Sequence, residues 1–453
     1  MHVVMSSIVL GIYSGLMRIA QPLLRRKMTQ RAVQEPGYGQ AVDERFGRYT
    51  QPRETAHELV WLHAVSLGET RTAAVLLEAL RATYPGLRVL LTHGTATGRA
   101  EGRALLRPGD AQVWQPWDTH GAVERFFKHF KPRLGLLMET EVWPCLVAGS
   151  QARRMPLVLC NGRMSEKSLQ QALTMSPLSR PAYAALTAVY AQSAADAKRY
   201  RQLGVRVCDV FGNLKFDVAP NASQQAIGKA WRQELEQAVI MLASSRDGEE
   251  ALFIEQILEQ IVARADGKRA QAATDSVAPK YLIVPRHPQR FDEVAALVAR
   301  SGLTVSRRST WLGSPFENTQ AMRSDVWLGD SLGEMPLYYA LAGAALLGGS
   351  FEKLGGQNLI EAAACGCPVV MGPHTFNFSE AAELAGAAGA AQRVTDMAGA
   401  VDWAHQFVGQ ADVQSRMSHA ALAFAAKHQG ATQRTVNALA ARLLAGQATS
   451  AIR

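Results

Sequence analysis

The sequence predicts an α/β fold built as two doubly wound domains. Three observations lead there. Beyond residue 58, short apolar runs alternate with stretches of helical periodicity, the pattern of parallel strands joined by crossover helices. The alternation pauses once, in a polar stretch from Asp217 to about Gln237, and then restarts. A chain of 453 residues also exceeds one ordinary core, so two domains are expected on size alone.

The elements run in order as follows. From Val3 to Leu24 the chain is apolar with one charge, Arg18, and Arg25-Arg26-Lys27 follow at once. A secretory signal would reverse that order of charge and place a small-residue cleavage site after it. The segment therefore reads as a retained membrane anchor over residues 1–27. Its uninterrupted part, Val3 to Met17, is short against the roughly 20 residues of a spanning helix, which leaves a monotopic or a marginal single anchor. Eight Arg or Lys against three Asp or Glu between Arg18 and Arg53 suit an anionic leaflet.

The first domain, 28–216, carries seven strand runs: Leu59 to His63, Val89 to Thr92, Gln112 to Gln115, Leu134 to Met138, Leu157 to Cys160, Ala188 to Gln192 and Val207 to Phe211. The intervening segments include a helix over Thr70 to Tyr84, where Val75, Leu76, Ala79 and Leu80 recur at helical spacing. The second domain, 217–453, opens with a polar connection. Its strand runs are 239–245, 281–287, 303–309, 325–330, 344–350 and 368–372. Arg264 to Lys280 reads as a surface insertion, and the Ala- and Gly-rich 381–391 as close helix packing.

Composition narrows the chemistry. A formal charge of +9 points to an anionic partner. The basic excess lies beside the anchor and no interleaved aromatic platform accompanies it, so nucleic acid is disfavoured. Five scattered cysteines without a CxxC pair support neither a disulfide framework nor a zinc site. No GxxxxGK[ST] is present, which argues against a P-loop.

In open parallel sheets ligands bind beyond the carboxyl ends of the strands, and the notable residues fall there. Ser66-Leu-Gly-Glu69 after the first strand has capping-box spacing, so Glu69 is either a cap partner or a cleft carboxylate. Glu139 and Glu141 follow the fourth strand, where an extended chain would put both on one face. Lys215 closes the first domain and suits a negative substrate. In the second domain Arg286 and His287 stand between two prolines, a rigid setting for a phosphate or carboxylate. Gly333, Glu334 and Met335 open a helix, as do Asn358 to Glu361 after Gly348-Gly349-Ser350 and Gly355-Gly356. Glycines allow close ligand approach, helix starts favour anions, and Glu361 suits a ribose or sugar hydroxyl. The acidic start Asp247 to Glu250 is explained by helix-dipole complementation alone.

Together HAVSLGET, METEVWP, NGRMS, GNLKFD, PRHPQRF, GDSLGEM, GGSFEKLGGQN and EAAACGCPVVMGPHTFNF resemble, in order along nearly the whole chain, the Kdo (3-deoxy-D-manno-octulosonic acid) transferases of lipopolysaccharide synthesis. The resemblance implies a GT-B architecture of two facing Rossmann-like domains. It also implies transfer of Kdo from CMP-Kdo to a lipid A precursor at the cytoplasmic face of the inner membrane, with no metal and no cofactor. By the same resemblance Glu69 is the general base, and Glu139 and Lys215 stabilise the transition state. CMP is held by Arg286, His287, Gly333, Glu334, Met335, Asn358, Leu359, Ile360 and Glu361. The family commonly has Asn-Pro-Leu-Glu where this chain has Asn358-Leu-Ile-Glu361. In this reading Ser66 is the cap and Glu69 turns to the cleft. Two rivals stand beside it: a GT-B enzyme using a UDP-sugar, and a non-catalytic membrane-associated binding protein.

Overall fold

The computed structural model describes residues 2–55, 58–266 and 278–448. The chain divides into two units, Met1–Asp217 with Gln429–Arg453, and Val218–His428. The first contains a seven-stranded sheet, all parallel, of β1 (Val60–His63), β2 (Val89–His93), β3 (Ala111–Trp114), β4 (Leu134–Met138), β5 (Leu157–Gly162), β6 (Ala188–Ala191) and β7 (Cys208–Val210). Its order is β3-β2-β1-β4-β5-β6-β7, so the winding reverses between β1 and β4.

Strands covered on both faces must be apolar on both, which is why these runs read as continuous rather than alternating. On β1, Trp61 enters one core with Leu90, Phe126 and Phe127, while Val60 and Leu62 enter the other with Leu76, Leu80 and Leu136. The helix Leu67–Thr83 starts three residues earlier than its periodicity suggests, because Ser66 caps it by accepting the Glu69 N–H.

The second unit contains β8 (Val239–Ser245), β9 (Lys280–Pro285), β10 (Val305–Arg307), β11 (Val326–Leu328), β12 (Ala344–Leu347), β13 (Val369–Met371) and β14 (Ala391–Arg393), again all parallel. The order β10-β11-β9-β8-β12-β13-β14 reverses between β8 and β12. Gly348, just beyond β12, packs directly on the backbone of β8: a Cβ there would run into the Ser244 carbonyl oxygen. Gly348→Ala is therefore expected to destabilise this unit by about 1–3 kcal/mol, read as a lowered denaturant midpoint with an unchanged m-value.

Several expectations need correction. The second domain does not run to residue 453. The helix Ala431–Ala448 returns to the first unit, where Val436, Leu439 and Leu443 join the core beside Leu76 and Leu80. The Asp217 carboxylate holds the start of that return through the Gly430 and Thr432 amides. The stretch 217–237 is not a bare connection but carries the helix Ala222–Glu234, where Gly228 lets it approach Leu337 and Ala340. β14 was hidden behind the Ala- and Gly-rich run, which forms the helix Ser379–Ala387 and then leads into a three-residue edge strand. The insertion expected at Arg264 to Lys280 falls largely at 267–277, outside the described residues.

The N-terminal segment forms helices His2–Ile19 and Gln21–Gln34. Leu10 and Tyr13 pack on the first unit's core, and Ser14 accepts the His120 N–H. Ile8, Ile12, Leu16, Ile19 and Leu23 stay exposed at spacings of three and four, one helical stripe. No helix among the described residues is long and apolar enough to cross a membrane.

Candidate active site

In the first unit the candidate residues gather where the winding reverses, the place at which doubly wound sheets take ligands. Glu69 lies in the first turn of the helix after β1, Glu139 directly follows β4, and Lys215 lies in the short 3-10 turn Leu214–Asp217 after β7. Lys215 Nζ stands 3.0 Å from Glu139 Oε1. The Glu139 backbone is left-handed, φ 55°, so the chain turns there instead of continuing extended through Glu141. Its amide donates to Cys160 O at 3.0 Å, and its carbonyl accepts the Arg163 amide and the Tyr200 hydroxyl.

Glu69 is not simply turned away from its helix start. Its carboxylate accepts the Val65 N–H at 2.9 Å and the Ser66 hydroxyl at 3.2 Å, a reciprocal cap of the kind its spacing suggests. Burial pushes its pKa up to about 8, Glu139 and Glu141 add to the rise, and the two hydrogen bonds oppose it. A carboxyl with that proton affinity is matched to accepting a proton near neutral pH. Capping and a raised proton affinity thus share one side chain.

Two neighbours stand beside them: Glu141, which the sequence marks together with Glu139, and His63, which it does not. Glu141 accepts the Trp143 indole N–H at 2.7 Å, and burial raises its pKa. His63, fully buried at the end of β1, places Nδ1 3.1 Å from the Thr92 carbonyl and Nε2 4.0 Å from Glu141. Burial lowers its pKa to about 3, so it is a neutral imidazole. The METE spacing signalled Glu141; His63 looked like any polar residue closing a strand.

In the second unit the corresponding reversal lies between β8 and β12. Glu249, fully buried, accepts the Gly349 amide at 2.7 Å, the Arg246 amide at 2.9 Å and the Phe351 amide at 3.2 Å. It ties the loop after β8 to the glycine loop after β12, a larger part than dipole complementation. Arg286 and His287 are exposed beyond β9, and the Arg286 amide bonds Ser245 O. Partial burial and the cations Arg246, Arg286 and Arg290 lower the His287 pKa. This is a positively charged strand end.

Gly333 has φ 81° with open space where a Cβ would stand, at the turn before the helix Met335–Leu341. The Glu334 carboxylate is bound internally by Arg308 at 2.9 Å and by the Ser331 hydroxyl. It shapes the turn, and the backbone is what the turn can offer a ligand. Asn358 caps the helix Leu359–Ala364 through the Ile360 amide at 3.1 Å. Leu359 and Ile360 have buried side chains, which leaves their backbone as what they can offer a ligand, while Glu361 is half-buried in the first turn.

A family model described as 3-deoxy-D-manno-octulosonic-acid transferase (kdotransferase) matches residues 40–218. Over 95% of its length the chain is 47% identical to the 3-deoxy-D-manno-octulosonic acid transferase of Bordetella pertussis, covering 98% of that protein. It is 30% identical to the enzyme of the same name from Haemophilus influenzae, over 94% of this chain and 97% of the other. Among solved structures, a glycosyltransferase from Rickettsia africae superposes with a TM-score of 0.53 at 11% identity, over 87% of this chain and 99% of that one. That likeness speaks to the two-domain α/β fold of GT-B glycosyltransferases. The sequence relatives go further: the chain belongs to the 3-deoxy-D-manno-octulosonic acid (Kdo) transferase family.

Proposed function

We propose that the chain transfers Kdo from CMP-Kdo to a lipid A precursor by direct displacement, with Glu69 as the general base. Membership of the family makes it a glycosyltransferase of lipopolysaccharide synthesis. The observation that carries the mechanism is Glu69 itself, a half-buried carboxyl with raised proton affinity near the Glu139–Lys215 pair. Glu69 takes the proton of an acceptor hydroxyl as that oxygen bonds to the anomeric carbon of Kdo. The bond from that carbon to the CMP phosphate breaks with its electron pair going to the phosphate, and configuration inverts. Lys215 offsets the negative charge of Glu139 and the sugar acid. In the second unit Arg286 and the backbone of the turns at Gly333 to Met335 and Asn358 to Glu361 serve the CMP phosphate and nucleoside, and Glu361 suits a ribose hydroxyl.

Purified protein incubated with CMP-Kdo and a lipid A precursor, with products weighed by mass spectrometry, tests this reading and counts the Kdo residues added. Turnover with UDP-sugars and none with CMP-Kdo would overturn it.

The exposed stripe from Ile8 to Leu23, followed by Arg25, Arg26 and Lys27, supports attachment parallel to the anionic cytoplasmic face of the inner membrane. Ile12→Glu combined with Leu16→Glu is expected to weaken sedimentation with phosphatidylglycerol-containing vesicles by about 10²-fold or more, the loss of two exposed aliphatic side chains that the bilayer surface would bury. Unchanged binding would reject this mode of attachment.

A further inference from the structure

Asn161 stands at an irregularity that the transferase reading does not use. The pairing of β5 with β6 shifts register between Leu159 and Gly162, and Asn161 within that shift has φ 55°, a left-handed conformation that asparagine tolerates better than most residues. Its neighbour across the sheet, Glu139, is left-handed as well, and Cys160, one residue before Asn161, accepts the Glu139 amide. Two adjacent strand ends thus carry backbone strain beside the candidate base. Such strain, at about 1–3 kcal/mol per residue, persists where surrounding structure enforces it and clusters at functional sites.

The Asn161 side chain is 1% exposed and spans to a different strand end. Its Oδ1 accepts the Leu214 N–H at 3.0 Å, which also fixes which end of the carboxamide is oxygen. Leu214 opens the 3-10 turn that carries Lys215, and Asn213 Oδ1 accepts the Lys215 amide at 3.0 Å. The Asn161 carbonyl in turn accepts Gln192 Nε2 at 3.0 Å, tying the same point to the end of β6. The other end of the carboxamide, Nδ2, is buried with no hydrogen-bond partner among the described residues. An unpaired buried donor costs about 1–3 kcal/mol, so the Oδ1 bond to Leu214 is kept in spite of that cost.

We propose that Asn161 is a positioning residue for Kdo transfer, holding the turn after β7 so that Lys215 meets Glu139. The inference rests on the functional reading above. It places the control of Lys215 in a residue that follows β5, more than fifty positions earlier in the chain.

The test is a double-mutant cycle. Asn161→Gly keeps the left-handed backbone and removes the carboxamide, and it should lower kcat with CMP-Kdo on the order of 10²-fold, the effect of misplacing a group by about 1 Å. In a Lys215→Gln background, followed by product mass over long incubations, Asn161→Gly should add little, because its effect passes through the lysine. Hydrogen exchange at the Leu214 amide should quicken in the single variant. An equal loss in both backgrounds would assign Asn161 to general stability and overturn the inference. So would quickened exchange at Leu214 with a wild-type kcat. Failure of the wild-type protein itself to use CMP-Kdo would instead overturn the functional reading.

Discussion

Glu69→Gln is expected to lower kcat by about 10²- to 10⁴-fold, the usual contribution of a positioned general base, while the protein remains folded. Glutamine retains a carbonyl that can accept the Val65 N–H, so the helix start is kept. Glu69→Ala loses that partner as well and should cost about 1 kcal/mol of stability in addition. The pH dependence separates chemistry from capping. Only the carboxylate can accept a proton, and its pKa is raised to about 8. In the wild type kcat/KM should therefore rise about tenfold per pH unit below 8 and level off above it.

Stability runs the other way. A carboxyl whose folded pKa exceeds its unfolded value of 4.5 contributes stability fully present below that value and lost as pH rises through about 8. Glu69→Gln has no charge to bury and should be more stable than wild type at pH 9, measured by urea unfolding. An inactive and stabilised variant is the signature of a side chain kept for function. A variant that keeps wild-type turnover would return Glu69 to the role of a cap.

The strands of both sheets could be read from the chain because parallel strands buried on two faces are continuous apolar runs, as LGLLM of β4 shows. Two elements could not. β14 pairs along one side only and offers three residues, of which the first alone is buried, so its apolar signal is too weak to separate from the helix before it. The return of Ala431–Ala448 to the first unit is set by partners more than two hundred residues away, such as Phe211, whose carbonyl accepts Arg434. No local pattern encodes that. The same distinction runs through the site. Glu69, Glu139 and Lys215 follow strands inside motifs, which is why the sequence offers them as candidates. Glu249 and Asn161 act through bonds to Gly349 and Leu214 on other strand ends, which spacing does not reveal. Leu359 and Ile360 belong to a motif whose polar side chains are Asn358 and Glu361, and the core claims the two apolar side chains between them.

Lys215→Met should lower turnover by about 10²- to 10³-fold and also destabilise the first unit, and the two losses should be separable. Glu139 is 6% exposed, and Lys215 stands 3.0 Å from it with about a quarter of its side chain in solvent. Removing one partner of a buried pair leaves an uncompensated carboxylate, at a cost of about 3–5 kcal/mol. The solvent reaching Lys215 places this pair at the low end of that range. Adding Glu139→Gln removes the orphaned charge, so the double variant should recover most of the stability while staying slow. The order of stabilities, wild type near the double variant and both above Lys215→Met, can be read from urea midpoints. If the double variant recovered activity as well, the pair would be a structural tie and charge compensation during transfer would have to come from elsewhere. If Lys215→Met were as stable as wild type yet slow, the lysine would serve the substrate alone, and the left-handed turn at Glu139 would be held by its backbone bonds to Cys160, Arg163 and Tyr200.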